Sequence, residues 1–185
     1  MKRYTIILLC LVLMLPGLVA AATLQLPKTG QTTSYAAGDD GALQKGTAWP
    51  SPRFTDNANG TITDNLTGLI WLKDANCFGY QTWANALTSA NSLATTACGL
   101  SDGSSAGDWR LPNIVELESL IDAERVNPSL PSGHPFTAVQ AYYYWSSSTY
   151  AGVTSIAWGV GMVNGDVNFD VKGSNGYVWP VRGGQ

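Results

Sequence analysis

The sequence predicts an α+β domain behind an export signal, and three observations carry that prediction. A capped apolar helix starts at Asn113. A second helical run, 82–94, sits between Cys77 and Cys98. Alternating strand patterns crowd the last fifty or so positions, after a long irregular stretch. Early hairpins, two helices and a late run of strands make an α+β order.

Residues 1–22 have the layout of a secretory signal peptide. Lys2 and Arg3 precede an apolar run from Ile6 to Leu15, Pro16-Gly17 breaks it, and Ala20-Ala21-Ala22 offers a small-residue cleavage site. The rival reading is a retained anchor, because no charge falls between Tyr4 and Ala22. The Pro-Gly break favours cleavage, with no membrane insertion afterwards. Loss of Lys2 and Arg3 takes the formal net charge from −3 to −5. No basic cluster remains, so nucleic acid is excluded as a partner class. The expected location is the periplasm, the cell surface or the exterior. Leu26-Pro27-Lys28-Thr29-Gly30 spells a sortase-type signal, but no apolar run and basic tail follow it, so it reads as coincidence.

The expected layout is an irregular lead-in over 23–49 and one domain over 50–185. Arg53 to Asp74 reads as a hairpin, Phe54-Thr55-Asp56 against Thr61-Ile62-Thr63 around Asn57-Ala58-Asn59-Gly60, followed by a buried strand at Leu69-Ile70-Trp71-Leu72. Asp56, Asn57, Asn59 and Asp64 also form a weak calcium candidate, since oxygen ligands recur around a glycine. Ala58 and the missing twelfth-position Glu break the EF-hand pattern. No other cofactor is implied.

The first helix, Thr82 to Ala94, places Trp83, Leu87, Ala90 and Ala94 on one face. Two cysteines in an exported chain are read first as a disulfide, with a metal pair or a reactive thiol as rivals. A bridge between Cys77 and Cys98 closes a loop of about 22 residues and stabilises by roughly 3 kcal/mol in the chain-entropy account. The second helix starts at Asn113, with Glu116 as its capping-box partner, and its apolar stripe of Ile114, Leu117, Leu120 and Ile121 carries it to near Asp122. Tyr142 to Tyr150 is a strand. Asn164-Gly165 then predicts a two-residue hairpin turn between Ser155–Val163 and Asp166–Val171, setting Met162 opposite Val167, Val160 opposite Phe169 and Trp158 opposite Val171. The other face holds Ala157, Gly159 and Gly161 opposite Lys172, Asp170 and Asn168. Tyr177, Trp179 and Val181 read as one closing strand, with Pro180 at an edge or a bulge.

Three motifs now stand together: Asp108-Trp109-Arg110-Leu111-Pro112-Asn113 leading into Glu116-Leu117, Tyr144-Trp145-Ser146-Ser147-Ser148, and Val178-Trp179-Pro180-Val181-Arg182-Gly183-Gly184-Gln185. As a set they resemble the C-terminal domain family of Legionella collagen-like protein. More distantly, WRLP before a helix is similar to the formylglycine-generating-enzyme branch of C-type-lectin-like folds. The resemblance implies a C-type-lectin-like plan in which terminal strands pair and a long loop region carries ligands. It also implies adhesion and glycosaminoglycan-like ligands, which the net charge of −5 disfavours. The collagen-like Gly-x-y stalk of the family's naming member does not occur in this sequence.

Catalysis finds little support. The resembled enzymes need late paired cysteines or three histidines, whereas His134 is the single histidine and both remaining cysteines flank the first helix. No GxSxG elbow or phosphate-binding Gly loop occurs. His134 reads as a loop residue, with a lone metal or proton role as the alternative. The expectation is a non-enzymatic recognition domain for glycan or a surface protein, with a self-assembling envelope module as the alternative. The candidate contacts are Tyr142, Ser146, Ser148 and Tyr150 with Asn168, Asp170 and Lys172, because aromatic rings beside hydroxyls and carboxylates suit sugars. The plain alternative is that these rings fill a β-rich core.

Overall fold

The computed structural model describes residues 26–183, and the predicted signal peptide lies outside them. Among the described residues, no helix is long and apolar enough to cross a membrane. The chain is α+β, built on two sheets that are antiparallel except for one parallel contact. The first sheet runs β1 (Phe54–Asp56), β2 (Thr61–Asp64), β3 (Ile70–Leu72) and β9 (Val181–Arg182). The second runs β4 (Tyr80–Thr82), β8 (Asn175–Tyr177), β5 (Tyr143–Thr149), β6 (Ile156–Gly161) and β7 (Asp166–Val171).

The expected hairpin is present, with Thr55 opposite Thr63 and Asp56 opposite Ile62. Its base is fixed by a buried ion pair. Arg53 Nε and Nη2 donate to the two Asp64 carboxylate oxygens at 2.8 and 3.0 Å, and Nη2 also reaches Ser119 O at 2.7 Å. The guanidinium lies over Trp49 at 4.7 Å. Trp49 Nε1 in turn donates to Lys28 O, and Glu124 accepts the backbone N–H groups of Thr32 and Thr33. The lead-in is therefore laid onto the domain by named bonds. It also contains a short helix, α1 (Asp40–Leu43), which the irregular composition did not announce; Asp39 caps it.

α2 (Trp83–Asn91) is shorter than the predicted helix by three residues at its end, and its buried positions are Ala86 and Ala90. They pack with Trp145, Ala157 and Val178 against one face of the second sheet. The Cys77–Cys98 disulfide forms across the helix with Cα atoms 5.7 Å apart. α3 (Ile114–Glu118) has the expected capping box, Asn113 and Glu116 each satisfying the other's backbone N–H. It stops well before Asp122. Arg53 takes the Ser119 carbonyl, and Leu120 and Ile121 continue in tighter turns, bonding to Leu117 O and Glu118 O. Leu117 and Leu120 still reach the core, beside Tyr144, Val160 and Met162 on the other face of that sheet.

Two strand expectations need correction. The β6–β7 register is displaced by two: Val160 faces Val167, Trp158 faces Phe169 and Ile156 faces Val171. Met162 leaves the ladder because it is wholly buried, donating its N–H to Tyr142 O and accepting from Ser129 N–H, so the turn spans 162–165. An even shift keeps each residue on its predicted face. The closing strand is two strands. Tyr177 ends β8 in the second sheet, and after Val178, Trp179 and Pro180 the chain enters β9 in the first. Pro180 has no N–H to continue a ladder, though its carbonyl accepts from Leu72. β4 is not foreseen in the sequence pattern, which opens the first helix at the strand's last residue, Thr82; that residue instead stands at the N-cap position of α2.

Candidate functional site

A file of aromatic rings runs from the core to the surface. Phe54 touches Phe136 at 5.0 Å, Phe136 touches Trp179 at 4.8 Å, and Trp179 touches Tyr144 at 5.4 Å between centroids. Tyr144 meets Tyr177 at 5.4 Å, and Tyr177 meets Tyr80 at 4.8 Å, with Tyr142 closing on Tyr80 at 5.4 Å. Phe54, Phe136, Trp179 and Tyr144 are buried and Tyr177 is partly buried, whereas Tyr80 and Tyr142 are 44% and 53% exposed. Each surface ring thus stands on another ring, which restricts its motion and presents it already placed. Burial and a hydrogen bond with Tyr142 push the Tyr80 hydroxyl well above its ordinary pKa, so it stays protonated.

Two shallow depressions flank this tyrosine pair and share Asn175. One, about 310 Å³, lies toward α2 and is lined by Tyr80, Gln81, Asn85 and Thr88 among others. The other, about 300 Å³, lies toward β7 and includes Tyr142, Tyr143, Asp166, Asn168 and Asp170. Tyr143 lies flat because the strands beneath it are bare. A Cβ at Gly159 would meet its ring at 2.4 Å and one at Gly176 would meet it at 3.1 Å. Burial pushes the Tyr143 hydroxyl upward too, and it donates to Ala157 O at 3.2 Å.

Of the predicted contacts, Tyr142, Asn168 and Asp170 come together here. Asn168 and Asp170 also accept the backbone N–H groups of Phe169 and Val171 along the edge strand, at 2.8 and 2.6 Å. The others do not join them. Ser146 is wholly buried and bonds to Trp158 O across a bulge in β5. Ser148 accepts from Ile114 N–H at the start of α3. Lys172 is held by Thr149, Thr154 and the Trp83 ring. Tyr150 stacks on Phe169 at 5.2 Å, on the opposite face of the hairpin from Asp170. Tyr80, Asn85, Tyr177 and Asn175 were missed, since only fold-back of β4 onto β8 assembles them.

The calcium candidates are engaged in turns. Asp56 pairs with Lys73, Asn59 accepts from Thr61, Asn57 bonds Thr61 and Thr63, and Asp64 pairs with Arg53. Among the described residues, no group of three or more His, Cys, Asp or Glu side chains is placed to share a metal ion. His134 packs 5.9 Å from Phe136, and burial lowers its pKa. A wider groove of about 780 Å³, lined by Leu26, Trp49, Val115 and Ile121 among others, runs between the lead-in and α3.

The three sequence motifs meet behind the site. Trp109 is buried, its N–H on Ser104 Oγ. Arg110 exchanges backbone bonds with Val181 and grips Glu116 with two 2.7 Å bonds. Burial pushes the Glu116 carboxyl up, but bonds from Arg110 and the Asn113 N–H outweigh it and hold the pKa below the usual range. Pro112 O accepts from Ser147, and Arg182 pairs with Asp102 while covering Trp109. A family model, the Lcl C-terminal domain, matches residues 60–182. The chain belongs to the Lcl C-terminal domain family. Among curated proteins, none matches it. The match takes in Tyr80, Tyr142 and Asp170, so the site lies within the Lcl C-terminal domain rather than in the lead-in.

Proposed function

We propose that this Lcl C-terminal domain is an exported, non-catalytic recognition module that binds glycan at the tyrosine pair Tyr80 and Tyr142. One observation carries the reading: two exposed rings, fixed by a buried file of rings, rise between depressions bearing amide and carboxylate groups. Sugar rings combine apolar faces with polar edges, and such a surface offers partners to both. We read the architecture as C-type-lectin-like, with β9 returning to β3 and the long 119–142 segment delivering Tyr142. The reading as non-catalytic draws on chemistry. Cys77 and Cys98 are spent on each other, and His134 lies against Phe136. Export is supported by the predicted signal and the disulfide.

A glycan array probed with the full chain expressed for export tests this. Retention on at least one glycan class, lost in Tyr80→Ala and Tyr142→Ala, is the expected result. Absence of binding, or binding indifferent to both substitutions, counts against it.

One observation favours a second reading, self-association. Every residue of β7 is exposed, and Val167, Phe169 and Val171 line one side of this edge strand. A discrete oligomer in sedimentation that dissociates in Phe169→Ser would support this alternative.

A further inference from the structure

We propose that the site takes a linear, non-anionic oligosaccharide of at least two sugars, laid across Asn175 with one ring in each depression. This rests on the glycan reading above and specifies its ligand. The two depressions are similar in size, about 310 and 300 Å³, and Asn175 lines both. Among the described residues, the side-chain amides of Asn175 and Asn85 have no hydrogen-bond partner, so each depression is served by an uncommitted donor and acceptor. Tyr80 lines the first depression and Tyr142 the second, and the two rings touch, so a ring on each side has its own aromatic face.

Charge sets the chemical class. Asp166 and Asp170 line the second depression, and neither depression is lined by Lys, Arg or His. Lys172 is turned away onto Trp83 at 4.0 Å. A sulfated or carboxylated sugar would meet carboxylates with no counter-charge, whereas a neutral or amine-bearing sugar meets acceptors.

The experiment is an array of linear neutral oligosaccharides, each printed beside its own monosaccharide, with heparin as polyanion, followed by calorimetric titration of the hits. Disaccharides and longer chains should bind at least about tenfold tighter than the matching monosaccharide, and heparin should not bind. Asn85→Ala and Asn168→Ala, which alter one depression each, should both reduce the disaccharide to monosaccharide affinity; circular dichroism checks that they fold. Equal affinity for monomer and oligomer, or an effect of Asn168→Ala alone, overturns the two-ring arrangement while leaving glycan binding intact. Preferential heparin binding overturns the charge assignment. Failure to bind any sugar removes the parent reading, and this one with it.

Discussion

The two ends of the aromatic file use the same chemistry for opposite purposes. At the inner end, Trp71 and Trp179 meet edge to face at 5.7 Å between the sheets, both wholly buried, and Trp179 N–H is spent on Leu72 O. At the outer end, Tyr80 and Tyr142 stand half in water beside unspent amides. Tryptophan here is structural; tyrosine, which tolerates water on one edge, is what reaches the surface. The difference teaches that aromatic richness divides by depth, and depth follows position: Tyr80 lies on the edge strand β4 and Tyr142 just before β5, whereas Tyr144 and Trp145 within β5 are wholly buried.

Substitutions can break or sharpen that division. Trp179→Ala, at the inner end, should cost about 3–5 kcal/mol in denaturant unfolding, because it leaves a cavity shared by both sheets. A cost under about 1 kcal/mol would show that the junction is not packed as described. Paired Cys77→Ser and Cys98→Ser substitution should cost roughly 2–4 kcal/mol, read by thermal melting. Asn113→Ala removes the α3 cap and should cost about 1 kcal/mol. Smaller still is the pH effect of His134, beside Phe136 at the inner end. Burial lowers its pKa from 6.5, so the unfolded chain binds the proton more readily and stability falls as pH drops below about 6.5. His134→Gln should flatten that slope in melting curves between pH 7 and 5. At the outer end, Tyr142→Ala should change stability by no more than about 0.5 kcal/mol. It should still weaken glycan binding at least tenfold; a large stability loss would place Tyr142 with the core.

The elements with local signals were legible in the sequence. The Asn57–Gly60 turn, the Asn113–Glu116 capping box and the Cys77–Cys98 pair depend on residues near one another or on simple pairing. The site was half legible. Tyr142, Asn168 and Asp170 follow from strand alternation, but Tyr80 enters only because β4 pairs with β8 across nearly a hundred positions. Ser146 and Ser148 look like surface hydroxyls until the β5 bulge turns one inward and α3 claims the other. The β6–β7 register went astray for a similar reason. Asn164-Gly165 favours a tight turn, but burial of Met162 outweighs that preference.

The path of the chain through Val178, Trp179 and Pro180 bears on how the molecule is made. β8 lies between β4 and β5, and β9 completes the neighbouring sheet. The second layer cannot close until Tyr177 has left the ribosome, nor the first until Arg182 has. Such late closure leaves both layers open until nearly the whole described chain is free to fold.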